Sequence, residues 1–183
     1  MIRIVDIFLS SFGLIFFSPL ICLVYFILYV ENRSPIFYQE RLGRKMKNFL
    51  LVKFRTMNIG TGNYATHLVD PRNISMLGKF LRKSKIDELP QLWNVLKGDM
   101  SMVGPRPCLI SQQELIQARL KFNIFRVKPG ITGLAQISGI DMSDPLLLAK
   151  TERKMLRDFN ILSYFYYIFL TVIGFGLGDR IKE

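Results

Sequence analysis

Asp87 and Glu88 stand side by side within a few residues of Arg82, Lys83 and Lys85, in the stretch RKSKIDELPQLWNVLKGDMSMVGPRP. An acid pair set among cations has two uses. It caps a helix, because acids in a first turn answer the macrodipole, and either Asp87 as N-cap or Ser84 with Asp87 as a capping box fits that use. Alternatively it works in a site that handles anions, where carboxylates act on a substrate whose charge neighbouring cations screen. Arg106 points to the second use. Pro105 and Pro107 fix their own φ angles and restrict the residue before each, so Arg106 is held between two rigid units, which suits a bidentate grip on phosphate, although GPRP by itself also reads as a loop with a surface arginine. Lys53 and Arg55 alternate with Val52, Phe54 and Thr56 and so project from one face of a strand, as phosphate ligands on a rigid element or as the wet face of a hairpin.

These residues need elements to position them. Leu89, Leu92, Trp93 and Leu96 recur at helical spacing after the acid pair, Pro90 suits a first turn, and Gly98 ends the run. Residues 36–57 hold two β-prone runs around a polar turn at 43–48, which predicts a β-hairpin. Residues 74–83 predict a short amphipathic helix with Leu77, Phe80 and Leu81 on one face, and residues 109–125 a further helix. Residues 126–139, RVKPGITGLAQISG, read as a loop in which glycine beside Arg126 and Lys128 lets backbone N–H groups approach an anion. Asp144 and Pro145 start another helix, continuing through residues 146–159. Residues 58–73 read as a polar loop carrying His67, the only histidine, so any Ser-His-Asp or histidine-metal site would hang on that one residue.

Residues 7–30 carry no charge and at about 1.5 Å per residue are long enough to cross a hydrocarbon core of about 30 Å. Ser18 and Pro19 fall in the middle. The proline removes a backbone hydrogen bond to Ile15, which predicts a kink, and the Ser18 hydroxyl is the nearest donor for the freed carbonyl. Arg33, Arg41, Arg44, Lys45 and Lys47 follow the run and place the following domain in the cytoplasm, while Arg3 resists export of the N-terminal flank. A kinked crossing helix fits the periodicity; a re-entrant hairpin over residues 1–32 satisfies both flanks. Residues 161–178 are apolar and rich in Tyr and Phe, which predicts a helix lying in the membrane interface rather than crossing.

A net charge of +11 beside 50% hydrophobic residues suits an anionic membrane surface or a phosphorylated substrate. No nucleic-acid motif is present. Cys22 and Cys108 have no zinc spacing and point to a reduced compartment. The resulting expectation is an α+β chain, mainly α-helical: a membrane hairpin over 1–32, then a catalytic domain over 33–183 with a small β-hairpin and amphipathic interfacial helices around a cytoplasmic active site.

Arg3 and Asp6 before an apolar run with Ser18-Pro19, then FYQERLG, KFRTM, LRKSKIDELPQLWNVLKGDMSMVGPRP and KPGITGLAQISG, together resemble the monotopic phosphoglycosyl transferases of the bacterial sugar transferase family. The resemblance covers nearly the whole chain and rests most on the central block. It implies transfer of a sugar 1-phosphate from a UDP-sugar to polyprenyl (undecaprenyl) phosphate at the bacterial inner membrane, with release of UMP, giving a product for downstream glycosyltransferases. It makes Asp87 the nucleophile of a covalent intermediate, Glu88 its partner, and Asp87 the protein ligand of Mg²⁺. Lys53, Arg55, Arg82 and Arg106 then bind substrate phosphates. The pattern is broken near the C-terminus, where Glu152, Lys154 and Met155 replace an aspartate followed by aromatics, and Tyr164 replaces an acid. That leaves the docking of the last helix open. A non-enzymatic, membrane-anchored basic protein that binds anionic lipid is the competing expectation.

Overall fold

The structure is a computed structural model, described here for residues 2–57 and 73–174. It opens with two helices, α1 (Ile2–Phe16) and α2 (Ser18–Asn32), bent by 60° at Phe17. The cause is local. Pro19 occupies the first turn of α2, and the Ser18 hydroxyl donates to the Ile15 carbonyl at 2.8 Å, as the sequence predicts. Among the described residues no single helix is long and apolar enough to cross a membrane; the bent pair meets the requirements of length and composition only together.

Both ends of the pair return to the rest of the chain. At the start, Arg3 donates to the carbonyls of Val95 and, at 2.8 Å, Leu96. Asp6 is buried and accepts hydrogen bonds from the Ser101 hydroxyl at 3.0 Å and the Met102 N–H at 2.9 Å. At the other end, Arg33 stops α2 in a left-handed conformation, its N–H donating to the Tyr29 carbonyl. Val24 and Leu28 of α2 pack with Phe54 and Leu81 in one core cluster.

The hairpin forms as read: β1 (Ile36–Leu42) pairs antiparallel with β2 (Asn48–Phe54), Ile36 opposite Phe54 and Leu42 opposite Asn48. Next described is α3 (Met76–Lys83), where Leu81 is buried but Phe80 faces out. The helix predicted from Asp87 onward is split. Ile86–Glu88 is a separate 3-10 turn, and α4 (Gln91–Lys97) starts only after Pro90, whose ring leaves no N–H to continue the turn; Gly98 ends α4 at φ 102°.

Two further strands were not legible as such. β3 (Ser101–Val103) lies parallel to β4 (Gly130–Thr132), with α5 (Gln113–Lys121) and a 3-10 turn at Ile124–Arg126 between them. A methyl group on Gly130 would sit 2.0 Å from the Gly104 nitrogen, so only glycine lets these backbones meet. The Gly104 N–H donates to the Thr132 carbonyl at 2.9 Å and the Gly130 N–H to the Pro105 carbonyl at 2.8 Å. The glycine in KPGITG thus serves chain-to-chain contact, where the sequence pointed to an anion.

The chain closes with α6 (Leu134–Ile137), α7 (Pro145–Arg157), capped by the Asp144 side chain, and α8 (Ile161–Val172). The last helix is docked through Tyr164, whose hydroxyl donates to Asp6 at 2.7 Å, inside a cluster with Val103, Met155 and Tyr167. Its 12 residues span about 18 Å, short of a hydrocarbon core of about 30 Å, and Leu162, Phe165, Phe169 and Val172 are exposed. The predicted loop at 58–73 lies outside the described residues apart from Asn73, and so does His67.

Candidate active site

The acid pair sits where three elements converge: the end of β2, the last turn of α3 and the Ile86–Glu88 turn. Lys85 opens that turn at φ 58°, a left-handed conformation that a side chain rarely adopts and that costs on the order of 1 kcal/mol or more. Neither acid caps α4. Its N-cap is Pro90, which has no side-chain hydrogen bond to give, and Ser84 instead bonds backward to the carbonyls of Phe80 and Leu81 at the end of α3. Asp87 is therefore the N-cap of neither the 3-10 turn nor α4. Asp87 is buried, and Glu88 accepts from Lys53 Nζ at 3.0 Å.

Arg82 enters from α3. Its Nε donates to the Thr56 hydroxyl at 2.8 Å, while one terminal nitrogen, Nη1, is buried with no hydrogen-bond partner among the described residues. A buried guanidinium N–H without a partner costs free energy that an incoming anionic oxygen would recover. Lys85 reports the field of the site. Burial pushes its ammonium below the ordinary value, Glu88 opposes that, Arg106 adds to it, and Asp87 opposes it again. Two acids and two cations thus lie within electrostatic reach of one another.

The backbone of Arg106 is fixed by more than its prolines. Its N–H donates to Glu152 Oε1 at 3.2 Å, and its carbonyl accepts from Arg119 at 2.7 Å. Arg119 and Glu152 pair with each other in a fully buried contact between α5 and α7. Burial pushes the Glu152 carboxyl up, and the Arg119 guanidinium opposes the shift.

Of the residues singled out from sequence, Lys53, Asp87, Glu88 and Arg106 come together, while Arg82 meets Thr56 just beyond the end of β2. Arg55 goes elsewhere. Its guanidinium donates to the Ser34 carbonyl at 2.9 Å and the Ile36 carbonyl at 3.4 Å and lies over the Phe37 ring, locking the junction of α2 and β1. Lys85 was not singled out, and its signal, a left-handed φ, is invisible in sequence. The Arg119–Glu152 pair was missed because its members are separated by 33 positions on different helices.

As to a metal, no cluster of three or more acidic, histidine or cysteine ligands exists among the described residues. Mg²⁺ does not require one, since it is usually held by one or two carboxylates with water and substrate phosphates completing the octahedron. The hard oxygens of Asp87 and Glu88 fit that donor set.

The model of the bacterial sugar transferase family matches residues 1–175, and the chain belongs to that family. Among its relatives is the UDP-glucose:undecaprenyl-phosphate glucose-1-phosphate transferase of Klebsiella pneumoniae, 37% identical over 181 residues, which are 93% of this chain and 39% of that protein. An uncharacterized sugar transferase, EpsL, of Bacillus subtilis is 41% identical over 75% of this chain and 68% of its own length. The exopolysaccharide production protein ExoY of Rhizobium meliloti is 37% identical over the same shares. The chain thus spans about two-fifths of the Klebsiella relative and two-thirds of the other two.

Proposed function

We propose that the protein transfers a sugar 1-phosphate from a UDP-sugar to undecaprenyl phosphate through an aspartyl intermediate. The observation that carries this reading is a buried aspartate on a strained turn, the N-cap of neither that turn nor α4, in the shared electrostatic field of Glu88, Lys85 and Arg106. An Asp87 carboxylate oxygen attacks the β-phosphorus, the bond from that phosphorus to the bridging oxygen breaks, and UMP leaves with the electron pair. An oxygen of the lipid phosphate then attacks the same phosphorus, the bond to Asp87 breaks, and the polyprenyl-diphosphate sugar departs. Lys53 holds Glu88 beside the nucleophile, while Arg82 and Arg106 bind and orient phosphate oxygens. When bound at Asp87, and at Glu88 if both carboxylates serve, Mg²⁺ would supply charge neutralisation for the diphosphate.

The bent α1–α2 pair is read as a re-entrant membrane hairpin with the catalytic domain on the cytoplasmic face. Exposed Phe8, Phe12 and Phe16 on α1 and exposed Phe165 and Phe169 on α8 support contact with lipid. This holds the site at headgroup level, where a polyprenyl chain presents its phosphate.

The test uses purified full-length chain with Mg²⁺, undecaprenyl phosphate and a panel of UDP-sugars, following UMP release. One sugar should release UMP in the presence of the lipid. In its absence, label in the sugar phosphate should stay on the protein. No release with any UDP-sugar overturns the activity, and it would favour a lipid-binding protein without catalysis; release without label on the protein overturns the aspartyl intermediate alone.

A further inference from the structure

The turn end of the hairpin carries a cavity of about 380 Å³ that the transfer chemistry does not use, lined by Arg44, Lys45, Lys47, Asp99 and Lys128 around Gly43 and Gly98. None of Lys53, Arg82, Asp87, Glu88 or Arg106 lines it. Lys53 lies near the far end of β2, about 17 Å from Asn48 at strand spacing. Two residues in succession, Lys45 at φ 57° and Met46 at φ 60°, turn the chain through the left-handed region to form the rim. The Arg44 Nε donates to the Arg126 carbonyl at 3.0 Å, which fixes that side chain at the mouth.

Four cations face one acid in this cavity; the Asp99 Oδ2 lies 3.2 Å from the exposed Lys97 ammonium but makes no hydrogen bond among the described residues, so the cations outnumber it without being matched by it. A fifth cation stands at the wall: a Cβ added to Gly98 would lie 3.2 Å from Arg3 Nη2 and 3.5 Å from Lys128 Nζ. The effect on Lys128 is visible, since burial and then Arg3 and Arg44 push its ammonium down against Asp6 and Asp99. Like charges gathered in a half-enclosed space repel one another unless an anion sits among them. The lining forms a pocket rather than a flat patch, and its Arg and Lys side chains carry the N–H donors that the acceptor oxygens of a phosphate require.

We propose that this cavity is a second phosphate-binding site, separate from the Asp87–Glu88 centre. Arg3 belongs to the first turn of α1, so the cavity opens beside the start of the apolar helix pair, the level at which a lipid headgroup carries its phosphate. The same chemistry would take the phosphate of a soluble ester. The site does not depend on the transfer reaction, so either proposal can fail without the other.

Detergent-solubilised full chain is titrated with phosphatidylglycerol, with glycerol 3-phosphate and with phosphatidylcholine, and occupancy is read by native mass spectrometry. The variants are Lys45→Gln with Lys128→Gln, and a control of equal charge loss on exposed helix faces, Lys79→Gln with Lys150→Gln. Saturable binding of one phosphatidylglycerol or one glycerol 3-phosphate is expected, with affinity falling about tenfold or more in the first variant and by about twofold or less in the control. Phosphatidylglycerol alone would identify a lipid phosphate, glycerol 3-phosphate alone a free ester, and both a site for the phosphate itself. Asp87→Asn should leave this binding unchanged. Absence of saturable binding by both ligands, or equal weakening in both variants, overturns the site, as does phosphatidylcholine binding as tightly as phosphatidylglycerol.

Discussion

Two acid–cation clusters in this protein use the same chemistry to opposite ends. In the Arg119–Glu152 pair both side chains are fully buried, Glu152 accepts from Arg119 and from the Arg106 N–H, and Arg119 also reaches the Arg106 carbonyl. In the Asp87–Glu88 cluster the Lys53–Glu88 contact is part-exposed at 19% and 23% and the turn is strained at Lys85, and in the last turn of α3 one Arg82 nitrogen lacks a partner among the described residues. The first cluster is finished and the second is open. The difference shows what separates a clamp from a site: not which charges meet, but whether hydrogen-bonding capacity is left for something else.

The largest effect should fall on the open cluster. Asp87→Asn keeps the shape and removes the nucleophilic oxygen, so UMP release should fall about a thousandfold or more while thermal unfolding is unchanged. Glu88→Gln should be severely impaired for the same reason at one remove. Wild-type-like UMP release from Asp87→Asn would sink the covalent mechanism.

The finished cluster should fail differently. Glu152→Ala strands a buried guanidinium and is expected to cost about 3–5 kcal/mol of stability. It also frees the Arg106 backbone, so activity should drop along with the melting temperature. A melting temperature equal to wild type would mean that the pair does not clamp the GPRP turn. Between the two clusters, Arg106→Lys leaves the clamp's backbone contacts in place and alters only the side chain that faces the site. It loses the bidentate fork, which should raise KM for the UDP-sugar about tenfold with a smaller change in kcat. Unchanged steady-state constants would remove Arg106 from the site.

What the sequence made legible follows the range of the interactions involved. The hairpin, the Asp144 cap and the bond from Ser18 to Ile15 depend on neighbours a few positions apart, and alternation or a single proline announces them. The parallel β3–β4 pair consists of three-residue strands joined across α5, too short for periodicity to show. Asp87 and Glu88 were visible as residues, but their freedom from capping was not, because it depends on Lys85 turning left-handed and Pro90 restarting the helix. The contacts of Arg55 were hidden for a related reason. Strand alternation gave its face, yet Arg55 follows the last residue of β2 and its partner carbonyls lie at Ser34, before β1, and at Ile36, where β1 begins.

The smallest effect is expected at the bend in the N-terminal pair, which is finished in the same sense as the Arg119–Glu152 cluster. Pro19→Ala returns an N–H to position 19 and relieves the ring clash with the Ile15 carbonyl, which favours a straighter segment. Yet that carbonyl is already satisfied by Ser18, and α1 is tied to the domain independently of the bend. Arg3 holds the end of α4, and Asp6 holds Ser101, Met102 and Tyr164. Straightening would have to break these contacts or the packing of Val24 and Leu28 of α2 against Phe54 and Leu81. With single cysteines placed at each flank of the pair in a Cys22→Ser, Cys108→Ser background, both flanks should stay protected from a membrane-impermeant thiol reagent in intact cells, in wild type and in Pro19→Ala alike. Adding Arg3→Ala and Asp6→Ala removes the ties, and the N-terminal flank should then label in part of the population. Labelling in Pro19→Ala alone would show that the bend sets the topology and the polar ties do not. Labelling of that flank in the chain with Pro19 intact would mean a true crossing, and the re-entrant geometry would have to be given up whatever the fate of the transferase activity.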